Sequence, residues 1–267
     1  MHTTSSDGAL SPLQLVEKVA AAGVTVMAIT DHDSMEGVDA LRGVETLIPV
    51  LQGVELSIRG MKNLHLLGYG VGEAHELRAV LRNLAQKRES RGARILEKLE
   101  SLVMPIDASS MDYQGSLGRP HIAQAMVKAG YVRDIKEAFD RYLHDGGPAY
   151  VGGERLNMEE ALALLRRNGF VPVLAHPAEL GIDDVTLRAL LEAWQKQGLM
   201  GVEVYHPSQS GKGYAGLERM VRRMGLLVTG GSDFHREHDK HGMPGCTSDA
   251  WVHAEDDLQA LYAAMKQ

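Results

Sequence analysis

Short apolar, β-branched runs alternate with helix-period segments along most of this chain, and four of the runs end in a histidine. The runs at 24–30, 48–58, 64–71, 171–175, 201–205 and 226–229 read as strands. Alternation of this kind predicts an α/β fold with a parallel sheet or barrel, because each parallel strand needs a crossover to bring the chain back. Two helix starts are legible. Ser11-Pro12 places an N-cap before a proline at the first helical position, and the apolar run behind it ends at Gly23. Asn157 with Glu160 forms a capping-box pattern whose helix stops at Asn168-Gly169, just ahead of the next strand.

Between about residues 75 and 150 the strand signal vanishes, and the chain reads as several helices broken at Gly92, near Met104-Pro105 and at Gly130. The expected organisation is therefore a barrel at 1–74 and 151–267 carrying a helical insertion at 75–150.

Composition narrows the chemistry. Cys246 is the single cysteine, so neither an internal disulfide nor a thiolate metal cluster can form. Twelve histidines stand beside three phenylalanines and two tryptophans, an excess of the commonest metal ligand and acid/base side chain. The net charge of −7 argues against a broad face for duplex DNA. The apolar stretch at 19–29 is too short to cross a bilayer, and the polar first residues do not read as a secretion signal, so a cytoplasmic location away from membranes is expected.

Ligand-type residues gather where strands end, as sites do in parallel α/β folds. They lie in Thr30-Asp31-His32-Asp33, Ala175-His176-Pro177, Glu203-Val204-Tyr205-His206-Pro207 and Gly231-Ser232-Asp233-Phe234-His235. Asp233 and His235 are two apart, so an extended segment aims both at one face. The stretch from Gly53 to Leu66 reads as a hairpin turning near Gly60, which would set Glu55 opposite His65, close enough to share one metal. One histidine at a strand end is usually scaffolding, but the joint pattern of His, Asp and Glu without Cys suits Zn²⁺, Mn²⁺ or Fe²⁺. A bridging carboxylate suits a multinuclear hydrolase of phosphate esters or amides.

Taken in order, His2-Thr3-Thr4-Ser5-Ser6-Asp7-Gly8, Thr30-Asp31-His32-Asp33, Gly53-Val54-Glu55, the His65 strand, Ala175-His176-Pro177 and Gly231-Ser232-Asp233-Phe234-His235 resemble the PHP (polymerase and histidinol phosphatase) family. Gly118-Arg119-Pro120-His121 and Glu203-Val204-Tyr205-His206-Pro207 are similar to its branch of 3′,5′-nucleotide bisphosphate phosphatases and 5′→3′ exoribonucleases. The resemblance implies a distorted (β/α)₇ barrel with two or three divalent metals at its strand ends. By position, His2, Glu55 and Asp233 would hold one ion; Glu55, His65 and His176 a second; Asp7, His32 and His235 a third. The family pattern opens Asp-Leu-His-x-His; here His2 fits the second His and Met1 the x, so the first His and the strand before it are missing. The expectation is a late start or truncation, the alternative a family member lacking one metal position.

The implied chemistry is attack of a metal-bridging hydroxide on the 3′-phosphate of a 3′,5′-bisphosphonucleotide, with His206 protonating the leaving oxygen. Arg119 and His121 in the insertion, Arg91, and Lys212 in a glycine-rich loop are the candidates for holding substrate phosphate. Lys87, Arg91 and Arg94 recur at helical spacing and could share one face, although a solvated face explains that run as well. A short single-stranded RNA end is the alternative substrate; a histidinol-phosphate phosphatase or a non-catalytic module are the remaining readings. His75, His144, His238, His241 and His253 sit in no motif and read as surface or loop residues.

Overall fold

The computed structural model describes residues 1–107, 109, 111, 117–152, 155–237 and 242–266. In chain order the elements are α1 (Pro12–Ala21), β1 (Met27–Ile29), α2 (Glu36–Asp39), β2 (Val50–Ser57), β3 (His65–Gly70), α3 (His75–Ser101), α4 (Arg119–Lys128), α5 (Ile135–Ala138), α6 (Met158–Arg167), β4 (Val171–Leu174), α7 (Asp184–Lys196), β5 (Gly201–Tyr205), α8 (Tyr214–Arg223), β6 (Leu227–Gly230) and α9 (Ala254–Ala264). The chain divides into two compact units, one of Met1–Leu81 with Leu156–Gln267 and one of Arg82–Arg155.

Both helix starts read from the sequence are present. Ser11 caps α1 in a reciprocal box with Gln14, and Asn157 caps α6 with Glu160. Gly92, expected to break a helix, instead lies inside the 27-residue α3. Its missing side chain has a packing reason: a Cβ there would clash with Leu117. The second unit closes around Ile95, Leu99, Ile122, Met126 and Leu143.

The first unit is built on a curled six-stranded sheet in the order β1 to β6. It is mixed rather than wholly parallel, as the hairpin read at 53–66 requires. β3 runs antiparallel to β2 and β4, while the remaining pairs are parallel. The reason is connection length, since seven residues link β2 to β3 and a parallel crossover needs about a dozen or more. The hairpin register also differs from expectation: Ser57 pairs with His65 and Glu55 with Leu67, so the turn is centred one residue later than Gly60. Because that moves Glu55's partner by two, Glu55 and His65 keep the same face as diagonal neighbours.

One face of the sheet buries Val54, Leu56, Leu66 and Val202 against Leu165 of α6, Leu191 of α7 and Val221 of α8. The other packs Leu67, Tyr69 and Val173 against Leu261 and Met265. α9 is tied down by Arg222, which forks onto Asp257 at 2.8 Å, while the Trp251 indole donates to the same carboxylate.

β1 and β6 each have a single neighbour in the sheet. At the rim Met1 and His2 bridge them, with Thr30 N–H donating to Met1 C=O at 2.9 Å and His2 N–H donating to Phe234 C=O at 3.0 Å. Below that bridge a cavity of about 340 Å³ lies between the two edges, lined by Ala28, Thr30, Val228, Thr229 and Ser232 and by Leu258 and Leu261 of α9. The Thr229 and Ser232 hydroxyls are buried there without a hydrogen-bond partner.

Candidate metal centre

The C-terminal ends of β1, β2, β4, β5 and β6 point to one rim, and β3, running the other way, brings its first residue there. Glu55 on β2 is 1 % exposed. One of its oxygens, Oε1, lies 2.7 Å from His65 Nδ1 and 3.0 Å from His176 Nε2; the other, Oε2, lies 3.0 Å from His2 Nε2. His2 Nε2 is also 3.0 Å from Asp233 Oδ1, and His65 Nδ1 is 3.2 Å from His176 Nε2. On the far side His235 Nε2 approaches Asp7 Oδ1 at 3.3 Å. His32 is locked beside Glu55 by backbone bridging, and its ring centroid lies 4.4 Å from that of His2 and 5.0 Å from that of His65.

Seven of the eight residues expected as ligands fall in overlapping groups whose ligand atoms lie within 4.8 Å of one another, and His176 reaches the same rim through Glu55 Oε1. The groups are His2, Glu55 and Asp233; His32, Glu55 and His65; and His2, Asp7, His32 and His235. His32 thus adjoins the Glu55–His65 pair as well as Asp7 and His235. The donor set fits divalent metal. It consists of nitrogen and oxygen donors converging on short mutual distances, and among the described residues His32 Nδ1 and His176 Nδ1 are buried without hydrogen-bond partners. Asp7 is exposed and His32 and His65 half-buried, so solvent reaches the group on that side.

Local backbone strain accompanies the site. Asp33, His176 and Asp233 take left-handed φ values of 47°, 26° and 50°. Such conformations cost about 1–3 kcal/mol each for non-glycine residues. Two carboxylates to which the sequence reading assigned no role hold these turns. Glu203, buried on β5, accepts the His176 backbone N–H at 2.9 Å, and Asp33 accepts the Ser57 N–H at 2.9 Å. The signal for Glu203 was a charged residue alternating with Val202 and Val204 on a strand with no exposed face.

His206 is buried at the end of β5, its Nε2 3.7 Å from Asp233 Oδ2. The Ser208 backbone N–H donates to Nδ1 at 3.2 Å, which leaves the imidazole proton on Nε2, facing the site. The remaining candidates fall elsewhere. Lys212 is exposed in the turn after β5. Arg91, Arg119 and His121 belong to the second unit, where Arg91 and Arg119 both lie against the Tyr150 ring. Arg119 also pairs with Asp145 at 2.9 Å, and His121 Nδ1 accepts the Gly118 N–H in the capping turn of α4. His75, His144 and His253 are exposed; His238 and His241 lie outside the described residues.

Burial alone would pull the His2 and His176 imidazoliums down. The carboxylates outweigh it: Asp233 and Glu55 push His2 up to about 9, and Glu55 pushes His176 up to about 9. Burial would raise Glu55, but His176, His2 and His65 hold it well below the usual carboxylate range. His32, with burial dominating, is lowered. Without metal, the stability from the raised histidines is fully present below pH 6.5, the unfolded value, and is lost as pH rises through about 9. The Glu55 contribution is present above pH 4.5 and lost as pH falls through its depressed folded value. Metal-free protein should accordingly melt at higher temperature near pH 6 than near pH 9.5. Metal uptake, which displaces these protons, should tighten over the same rise. Melts in chelator across pH, with and without added Mn²⁺, test both trends.

No protein-family model matches the chain. It is 31% identical over 240 residues to a 5′-3′ exoribonuclease from Haemophilus influenzae, covering 88% of both chains. It is 31% identical over 242 residues to a 3′,5′-nucleoside bisphosphate phosphatase from Chromobacterium violaceum, covering 88% of this chain and 85% of that one. Among solved structures, one described as a metal-dependent phosphoesterase from Bifidobacterium adolescentis superposes with a TM-score of 0.66 at 27% identity, covering 98% of this chain and 94% of the other. An amidohydrolase from Chromobacterium violaceum with bound sulfate gives 0.66 at 28% identity, with the same coverage. No helix among the described residues is long and apolar enough to cross a membrane. Relatives of this identity over nearly the whole chain, all named as hydrolases of phosphate esters, place the chain in the PHP family of phosphoesterases.

Proposed function

We propose that the chain hydrolyses the 3′-phosphate of 3′,5′-bisphosphonucleotides, such as 3′,5′-adenosine bisphosphate to AMP, using two or three divalent ions of the Mn²⁺, Zn²⁺ or Fe²⁺ type. The observation that carries it is Glu55, whose two oxygens face different histidine sets, the placement a bridging carboxylate needs. In this reading His2, Glu55 and Asp233 hold one ion, Glu55, His65 and His176 a second, and Asp7, His32 and His235 a third. Ions held there supply Lewis acidity toward the phosphate's non-bridging oxygens and lower the pKa of water. The fold that goes with it is the distorted (β/α)₇ barrel, with a seventh strand's place between β1 and β6; the lined slot there supports it.

The chain's own residues do the rest. His206 presents its Nε2 proton to the departing 3′ oxygen, and Asp233, beside it, favours the proton-bearing imidazole, which outweighs the effect of burial. Arg119, Arg91 and His121 in the second unit, and Lys212, are the groups for the second phosphate. Arg119 is available for that role because its partner Asp145 is exposed, and an exposed pair contributes only about 0–1 kcal/mol.

Glu55→Gln should abolish phosphate release from 3′,5′-adenosine bisphosphate with Mn²⁺ and reduce bound metal; unchanged release would overturn the bridging role. His206→Gln should lower kcat about 10²–10⁴-fold at unchanged metal content, flattening the limb of the pH profile that reports a general acid. An unaltered profile would exclude His206.

The Haemophilus influenzae relative favours a second reading, stepwise cleavage of a 5′-phosphorylated RNA end at the same centre. Comparing kcat/KM for a short 5′-phosphorylated RNA with that for the bisphosphate decides between them.

A further inference from the structure

The acidic residue ahead of His32 belongs to none of the ligand groups, yet it is 1 % exposed. Asp31 Oδ1 accepts the Thr3 backbone N–H at 2.7 Å and the Ser6 hydroxyl at 2.6 Å, and Oδ2 accepts the Thr3 hydroxyl at 2.8 Å. Thr3 and Ser6 form the loop between His2 and Asp7, closed by Ser6 and Gly8 N–H groups donating to Thr3 C=O. Space around the carboxylate is tight: a Cβ at Gly37 would clash with both Asp31 Oδ2 and Thr3 Oγ1. Asp31 is thus boxed in with its oxygens turned to the loop, away from a ligand's position.

Ser6 Oγ lies 3.4 Å from His2 Nδ1. With its proton committed to an acceptor-only carboxylate, Ser6 can only accept from the ring, so Nδ1 carries a proton and Nε2 faces Glu55 and Asp233. A metal-ligating histidine needs such an outer partner to fix ring and tautomer.

We propose that Asp31 is a positioning residue for the metal site of His2, Glu55 and Asp233, acting through Thr3 and Ser6. The loop it clamps carries a candidate ligand at each end, His2 and Asp7, which share one group, and His2 also belongs to the group of Glu55 and Asp233. The proposal rests on the metal reading of the rim given above.

The test is metal content by elemental analysis and Mn²⁺ titration by calorimetry on the parent chain, Asp31→Ala, Ser6→Ala and Ser6→Thr. Asp31→Ala should weaken at least the binding event of the His2 site about 10–100-fold, the range seen on removing outer-shell partners. Ser6→Ala, a surface-loop change with little effect on folding, should weaken the same event, and Ser6→Thr, which keeps the hydroxyl, should restore it. Parent-like affinity and stoichiometry in Ser6→Ala and in folded Asp31→Ala would overturn the proposal; if Asp31→Ala does not fold, Ser6→Ala against Ser6→Thr decides. A parent chain that takes up no metal would instead overturn the metal reading itself.

Discussion

Glu55 is buried to 1 % exposure with imidazole nitrogens of His2, His65 and His176 within 3.0 Å of its oxygens. A lone carboxylate there would lose several kcal/mol of hydration, and only positive charge or donors on both oxygens offset that loss. The strand ends are arranged to provide them. β2 lies between β1 and β3, so His32 comes alongside through the parallel pairing and His65 through the antiparallel one. His2 and His176 arrive from further round the rim. The sheet order and the curl around Glu55 thus serve one electrostatic requirement.

That requirement is met at a local cost borne by the backbone. The three left-handed residues at the rim follow or flank strand ends, where the chain turns sharply to aim a side chain back across the sheet. Carboxylates that accept backbone N–H groups, Asp33 and Glu203, stand beside these turns. The rim is therefore two layers deep. The candidate ligands face inward, and acceptors filled by the chain's own donors stand behind them.

Much of this was legible in the residues. All six strands follow from β-branched runs, and both helix N-caps from local chemistry that needs no tertiary context. The pairing of Glu55 with His65 was legible because a short turn forces a hairpin. Its register was not, since a seven-residue connection can turn in more than one way, and here Gly60 and Asn63 both take positive φ, at 133° and 56°. Gly92 read as a breaker, because a propensity argument cannot see that Leu117 packs onto it. Asp31 and Glu203 carried signals, as charged residues at or within apolar strands, but nothing local says what they accept from.

The sequence by itself determined the element types, the chemistry of the donors and their location at strand ends, because periodicity, capping and ligand type are properties of residues and near neighbours. Tertiary structure decided the pairing of β3 with β4, the hairpin register, the edge positions of β1 and β6, and the sharing of His32 between two groups. It also decided which carboxylates converge with histidines at the rim and which accept the chain's own N–H groups. Apart from the hairpin register, each of these depends on contacts between residues tens to hundreds of positions apart, which no local pattern fixes.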